Sequence, residues 1–185
     1  MAKKHKINFP TILTILRMIL VIPFMVFCFA EEPELRMVAL DLFVVAAITD
    51  FIDGRYARKH KMVTDLGAFL DPLADKMLVN LAFLVLCLEG VVPVWMLAVI
   101  LVRDFAVDGM RMMLARKGET LAASIWGKSK TMVQMITITM ILLNRVLFID
   151  VIDTINLVLL YIVVVLTVVS GLEILIKGWK KAIIE

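Results

Sequence analysis

The chain has 185 residues, 62% of them hydrophobic, a mean hydropathy of +0.98 and a formal net charge of +3. That composition excludes an ordinary soluble globular domain, and so small a net charge gives no sign of a nucleic-acid partner. The apolar residues fall in continuous rather than alternating runs, which speaks against a membrane β-barrel.

The pattern predicts an all-α integral membrane protein, a single domain over 1–185: a six-helix transmembrane bundle with a short N-terminal interfacial segment. Each span needs roughly 20 apolar residues, and the runs place them at about 11–30, 35–57, 68–88, 93–115, 125–147 and 153–177. Residues 1–10 are basic and apolar, as suits a segment lying along a membrane surface. Pro10 and Thr11 suit the start of span 1, and Pro23 within it predicts a kink. Glu31, Glu32, Pro33 and Glu34 form a turn. Span 2 carries a lone acid, Asp41, read as a rim residue reaching water, with Arg145 as its candidate partner. Gly90 and Pro93 mark the turn before span 4, which holds Arg103, Asp104, Asp108 and Arg111. Gly118 and Glu119 mark the next loop, and Gly127-Lys128-Ser129-Lys130-Thr131 opens span 5. Span 6 is nearly all Leu, Ile and Val until Ser170-Gly171-Leu172-Glu173, where the two small residues permit close helix approach. No cleavable leader, transit sequence or internal repeat is expected.

Charge distribution gives the orientation. Lys3, Lys4 and Lys6 precede span 1; Arg55, Arg58, Lys59 and Lys61 join spans 2 and 3; Arg116, Lys117, Lys128 and Lys130 join spans 4 and 5; Lys177, Lys180 and Lys181 close span 6. The opposite loops hold only Arg36 and Arg145 among several acids. The positive-inside rule puts both termini and the loop between spans 2 and 3 in the cytoplasm. Trp95, Trp126 and Trp179 fall at span ends, as interfacial aromatics do. Cys28 and Cys87 read as small apolar filler rather than a disulfide. His5 and His60 read as solvated surface, since neither has metal-ligand spacing to another His or Cys.

Four acids stand where the membrane tolerates few. Asp50 and Asp53 are three apart at the end of span 2; Asp71 and Asp75 are four apart at the start of span 3. On helices, each pair shares a face. Gly54 and Gly67 sit one turn from Asp50 and Asp71 and remove side-chain bulk, so a ligand can approach the backbone. Intramembrane carboxylates cost about 2.5–3.5 kcal/mol each on insertion scales, and four together repel. A divalent cation relieves both problems. An all-oxygen donor set suits Mg²⁺, Mn²⁺ or Ca²⁺ rather than zinc or copper, and paired metals serve phosphoryl displacement. Ion pairing of the acids with Arg55 and Arg58 is the plainer alternative, but it leaves the glycines unexplained.

Asp50-x₂-Asp53-Gly54-x₂-Ala57-Arg58-x₈-Gly67-x₃-Asp71-x₃-Asp75 resembles the signature of the CDP-alcohol phosphotransferases at every specified position, and the six-span pattern extends the resemblance over essentially the whole chain. The resemblance implies transfer of a phosphatidyl or similar group from a CDP-linked donor to an alcohol with release of CMP. It implies that Asp50, Asp53, Asp71 and Asp75 hold two Mg²⁺ or Mn²⁺ ions on the donor pyrophosphate, and that Asp75 is also the general base. It implies that Asn8, Thr11, Asp53, Gly54, Ala57, Arg58 and Gly67 line the nucleotide site. A homodimer in the bacterial cytoplasmic membrane is implied as well.

The acceptor is addressed by span 4 and the start of span 5. Arg103-Asp104 through Asp108 and Arg111, then Gly127-Lys128-Ser129-Lys130-Thr131, with Asp71-Pro72-Leu73-Ala74-Asp75-Lys76, is similar to the branch of that family whose donor is CDP-diacylglycerol and whose acceptor is sn-glycerol 3-phosphate. Asp104 stands where Glu is usual there, and Asp108 where Ser is usual. A phosphorylated acceptor needs cations: Arg103 and Arg111, two turns apart, with Lys128 and Lys130, are the candidates for its phosphate. The alternatives are an ion pair of Arg103 with Asp108 within span 4, and headgroup contacts for the two lysines. Alternative functions are the same chemistry on phosphatidylglycerol or inositol phosphate, and divalent-cation transport. Acids gathered at one face rather than at the midplane weigh against transport.

Overall fold

The structure is a computed structural model that describes residues 9–60, 65–119, 121 and 124–184; side chains are described at these positions except 9–11, 50–60, 65–69, 71, 72, 75, 183 and 184. Within the described residues the chain is all-helical, with no strand: α1 (Phe9–Cys28), α2 (Pro33–His60), α3 (Asp65–Leu88), α4 (Val94–Arg116), α5 (Ile125–Leu147) and α6 (Asp150–Ile184). The six helices match the six apolar runs. Two extend past the expected ends: α2 continues through its charged tail to His60, and α6 runs to Ile184 instead of stopping near 177. By length and composition alone, α6 is the one described helix able to cross a membrane, over Asp150–Ala182. Its 35 residues span about 52 Å at 1.5 Å per residue, against roughly 30 Å of hydrocarbon.

Contacts divide the chain into two compact units: residues 1–85 with 141–148, and residues 86–140 with 149–185. In the first unit α1 packs on α2. Thr14, Arg17, Val21, Phe24 and Cys28 recur every three or four residues and form the buried face of α1. Ala39, Phe43 and Ala46 form that of α2, and the rings of Phe24 and Phe43 meet at 5.8 Å between centroids. On α3, Ala74, Leu78, Ala82 and Val85 are buried. At the other end of this unit, Arg36 donates from Nε to the Ala30 carbonyl (2.9 Å) and from Nη1 to the Arg145 carbonyl (3.3 Å), and it lies over the Phe148 ring at 5.9 Å. Arg145 turns its guanidinium to the Cys28 sulfur at 3.5 Å, while Asp41 is exposed. Neither cysteine is in a disulfide.

In the second unit α4 packs on α6 through a small-residue seam. Gly171 and Gly178 are seven apart on α6, and Arg103 and Met110 are seven apart on α4. A Cβ built on Gly171 would lie 2.7 Å from the Arg103 Cγ, and one on Gly178 would lie 2.5 Å from the Met110 Cγ. The extra length of α6 is therefore packed rather than free. Lys117 Nζ also donates to the Ala182 carbonyl at 3.1 Å, and Lys181 pairs with Glu119 at 2.7 Å.

α3 and α4 end alike. Gly90 donates to the Cys87 carbonyl and Val91 to the Leu86 carbonyl; Gly118 donates to Ala115 and Glu119 to Leu114. This is the glycine-closed terminus that turns the chain out of a helix, and it needs the left-handed φ of +76° at Gly90 and +78° at Gly118. Large apolar side chains stay outside: Ile12, Leu16, Ile19, Ile22 and Val26 line the exposed side of α1, and Val151, Ile155, Val158, Ile162, Val165, Val169, Leu172 and Ile176 that of α6.

Two alanine substitutions should move stability in opposite directions. Gly90→Ala meets no neighbour but must hold a positive φ, so it should lose about 1 kcal/mol. Gly109→Ala lies on an exposed helical position with open space around it, so it should gain about 0.5–1 kcal/mol. Thermal midpoints of the purified variants in one detergent check both signs.

Candidate active site

The signature occupies the end of one helix and the start of the next. Asp50, Asp53, Gly54, Ala57 and Arg58 fall in the last turns of α2, and Gly67, Asp71 and Asp75 in the first turns of α3, with residues 61–64 between them. The buried residues Ala39, Phe43 and Ala46 precede the first half of the signature on α2, and Leu78, Ala82 and Val85 follow the second half on α3. The side chains of the four acids, of Thr11, Ala57 and Arg58, together with Gly54, Gly67 and Asn8, lie outside the described residues. As a donor set, four carboxylates at three- and four-residue spacing on two helix ends fit a hard divalent cation.

The α1–α2 pair buries one further charged residue. Phe24 faces Phe43. Arg17 and Thr14 lie on the same face of α1 as Phe24, two and three turns back along the helix. Arg17 is 1% exposed and Thr14 fully buried. Sequence reasoning passed over Arg17, although a lone arginine inside an apolar run, on the face of Thr14, Val21 and Phe24, is the signal that identifies it.

The second cluster of charges is built within the other unit. Lys130 of α5 donates to Asp104 Oδ1 at 2.6 Å, and Arg103 Nη1 donates to the same oxygen at 3.0 Å. Arg103 Nη2 donates to Ser170 Oγ of α6 at 3.0 Å, and the Ser170 hydroxyl donates in turn to the Thr167 carbonyl at 3.2 Å. Lys130 is 4% exposed and Asp104 6%. Thus Arg103 takes its neighbour Asp104 as its acid, where the spacing pointed to Asp108. Lys130 is buried in an ion pair instead of reaching for headgroups; Lys128, two residues earlier, is exposed. Arg111 is exposed and Asp108 half-buried. Of the four acceptor-site candidates, the structure brings Arg103 and Lys130 together on one carboxylate. Arg111 and Lys128 do not join them there.

Nearer the end of α6, Ser124 donates to Glu173, which also receives Lys177 at 2.6 Å. With the Lys181–Glu119 pair, this ties the segment before α5 to α6.

A family model described as CDP-alcohol phosphatidyltransferase matches residues 7–169. The chain belongs to the CDP-alcohol phosphatidyltransferase family. It is 39% identical, over 94% of its length and 96% of the relative's, to a Bacillus subtilis (strain 168) protein named CDP-diacylglycerol–glycerol-3-phosphate 3-phosphatidyltransferase. It is 38% identical to a protein of the same name from Haemophilus influenzae over 92% of each, and 37% identical to one from Rickettsia bellii over 89% of this chain and 91% of the relative.

The shared carboxylate sets an order of stabilities. Asp104→Leu leaves buried Lys130 and half-buried Arg103 without their common acid and should cost about 3–5 kcal/mol. Lys130→Met keeps the Arg103–Asp104 pair and should cost about 1–2 kcal/mol. A larger drop in thermal midpoint for Asp104→Leu than for Lys130→Met is the expected result.

Proposed function

We propose that this protein transfers the phosphatidyl group of CDP-diacylglycerol to sn-glycerol 3-phosphate, giving phosphatidylglycerophosphate and CMP. The observation that carries this reading is the full signature at fixed spacing across the end of α2 and the start of α3. It stands in a chain similar over nearly its whole length to proteins named for that reaction.

Asp75 accepts the proton of the acceptor hydroxyl as its oxygen attacks the phosphatidyl phosphorus; the bond from that phosphorus to the CMP oxygen breaks, and CMP leaves with the electron pair. An alcohol is too weak an acid to lose its proton unaided, so a carboxylate within reach raises the rate. Asp50, Asp53, Asp71 and Asp75 are the residues that would hold two Mg²⁺ or Mn²⁺ ions, whose chemistry there is to offset charge on the pyrophosphate and the departing phosphate. Gly54 and Gly67 leave room beside the acids for the nucleotide, and Asn8, Thr11, Asp53, Ala57 and Arg58 complete that site. Arg103, Arg111, Lys128 and Lys130 are the cations for the acceptor's phosphate.

The exposed apolar stripes of α1 and α6 support a lipid surround: side chains such as Ile22, 65% exposed, and Val151, 70% exposed, would be costly in water and are at home in acyl chains. On this reading the chain is one catalytic domain spanning the bacterial cytoplasmic membrane six times. Both termini and the acids face the cytoplasm, and the protein works as a homodimer. A site at the inner interface gives the donor's acyl chains lipid and its nucleotide water.

CMP release by purified protein should require CDP-diacylglycerol, glycerol 3-phosphate and Mg²⁺ or Mn²⁺ together. Asp75→Asn should lower kcat about 10²–10⁴-fold, the range typical of a lost general base. Near wild-type turnover in Asp75→Asn would remove Asp75 from the mechanism. Faster release with inositol phosphate or phosphatidylglycerol would move the acceptor assignment and leave the acids in place.

A further inference from the structure

Arg103 occupies a seat made for it. Its stem lies against Gly171, where even one added methyl would come 2.7 Å from its Cγ and 3.8 Å from its Cβ. Its outer nitrogen passes Gly127 of α5, where an added Cβ would lie 3.9 Å from Nη2. Glycine therefore flanks the side chain on two helices. The two terminal nitrogens are then fixed in different directions, Nη1 by Asp104 and Nη2 by Ser170. Ser170 is itself fully buried and is steadied by its bond to Thr167. Three helices thus hold one guanidinium.

The seat is incomplete in one respect. Arg103 Nε is buried and has no partner among the described residues. Gln134 lies one turn from Lys130 on α5 and Thr167 one turn from Ser170 on α6; Gln134 Nε2 and Thr167 Oγ1 are likewise buried without partners. All three atoms are donors, or can be. Unspent donors on Arg103 and one turn along the helices from Lys130 and Ser170 favour an incoming group that only accepts, and a phosphate monoester is such a group.

We infer that Ser170 and Gly171 of α6, with Asp104, are positioning residues for the acceptor: they fix Arg103 so that it meets the acceptor's phosphate in one orientation. The inference rests on the reading that Arg103 contributes to the acceptor site. It assigns Ser170 and Gly171 a role in substrate affinity in addition to helix packing. Without Ser170, the Arg103 fork keeps Asp104 but loses the bond that fixes its plane. With a methyl at residue 171, the stem must leave the α6 backbone and the guanidinium moves with it. Neither change touches Lys130 or the four acids of α2 and α3.

The test is steady-state kinetics on the full chain in detergent micelles, with CDP-diacylglycerol and Mg²⁺ present and CMP release followed. Arg103→Ala, Gly171→Ala and Ser170→Ala are compared with wild type, varying each substrate in turn. The expected result is a rise in KM for glycerol 3-phosphate of about tenfold or more in Arg103→Ala and Gly171→Ala, and of a few-fold in Ser170→Ala. KM for CDP-diacylglycerol should stay within about twofold in all three. A raised KM in Arg103→Ala with none in Gly171→Ala or Ser170→Ala would overturn the seat and keep Arg103 as a phosphate contact. An unchanged KM in Arg103→Ala would overturn the acceptor reading beneath it. A fall in kcat and thermal midpoint with both KM values unchanged would make the seat purely structural and overturn the inference. If Gly171→Ala gives no folded protein, Ser170→Ala, which removes one hydrogen bond and adds no bulk, decides alone.

Discussion

An ionised side chain surrounded by apolar atoms needs a partner inside the fold, and in a chain that is 62% hydrophobic this constraint governs where every charge can sit. Moving an ion out of water costs several kcal/mol even after relaxation, and Coulomb attraction repays it only with close, well-bonded geometry. The second unit meets the constraint with one acid: a single oxygen of Asp104 receives Lys130 at 2.6 Å and Arg103 at 3.0 Å, so one carboxylate answers charges from two helices. Ser170 adds the third helix. In the first unit, Arg17 is buried on the α1 face that packs on α2.

Small residues make such an arrangement possible. The seam between α4 and α6 has a seven-residue repeat on both sides, with Arg103 and Met110 filling the places left open by Gly171 and Gly178. The glycines cost helix stability taken alone, but they give an arginine stem a berth against backbone instead of against a bulky side chain. Charge and packing are therefore one problem here. The cation keeps its place because glycine gives it room, and it stays oriented because Ser170 and Asp104 hold its two ends.

The six helices were legible because apolar runs of about 20 residues separated by charged or Gly/Pro-containing turns leave little choice of structure. Gly90 and Gly118 marked helix ends that do close through left-handed glycines. The four acids stand out in the sequence by their fixed spacing, and their side chains lie outside the described residues. The length of α6 was not legible, since its last turns are held by Met110, Lys117 and Glu119, all distant in sequence. Nor was the partner of Arg103: spacing within one helix offered Asp108, whereas Arg103 meets Asp104, which Lys130 of α5 also holds. Lys130 looked like one of several cytoplasmic basic residues, and only its packing against α4 separates it from the exposed Lys128. Arg17 was hidden by the apolar run around it, because hydropathy averages over the one residue that departs from it.

The central claim is that Asp50, Asp53, Asp71 and Asp75 form a divalent-metal centre that serves phosphatidyl transfer. Electron paramagnetic resonance of Mn²⁺ added to the purified protein with CDP-diacylglycerol tests it most directly, by counting bound ions in wild type and in Asp50→Asn and Asp71→Asn. The account predicts about two bound ions per chain in wild type and fewer in either variant, with CMP release falling in parallel. Wild-type protein that binds no Mn²⁺ above background, yet releases CMP in the presence of a chelator, would contradict it.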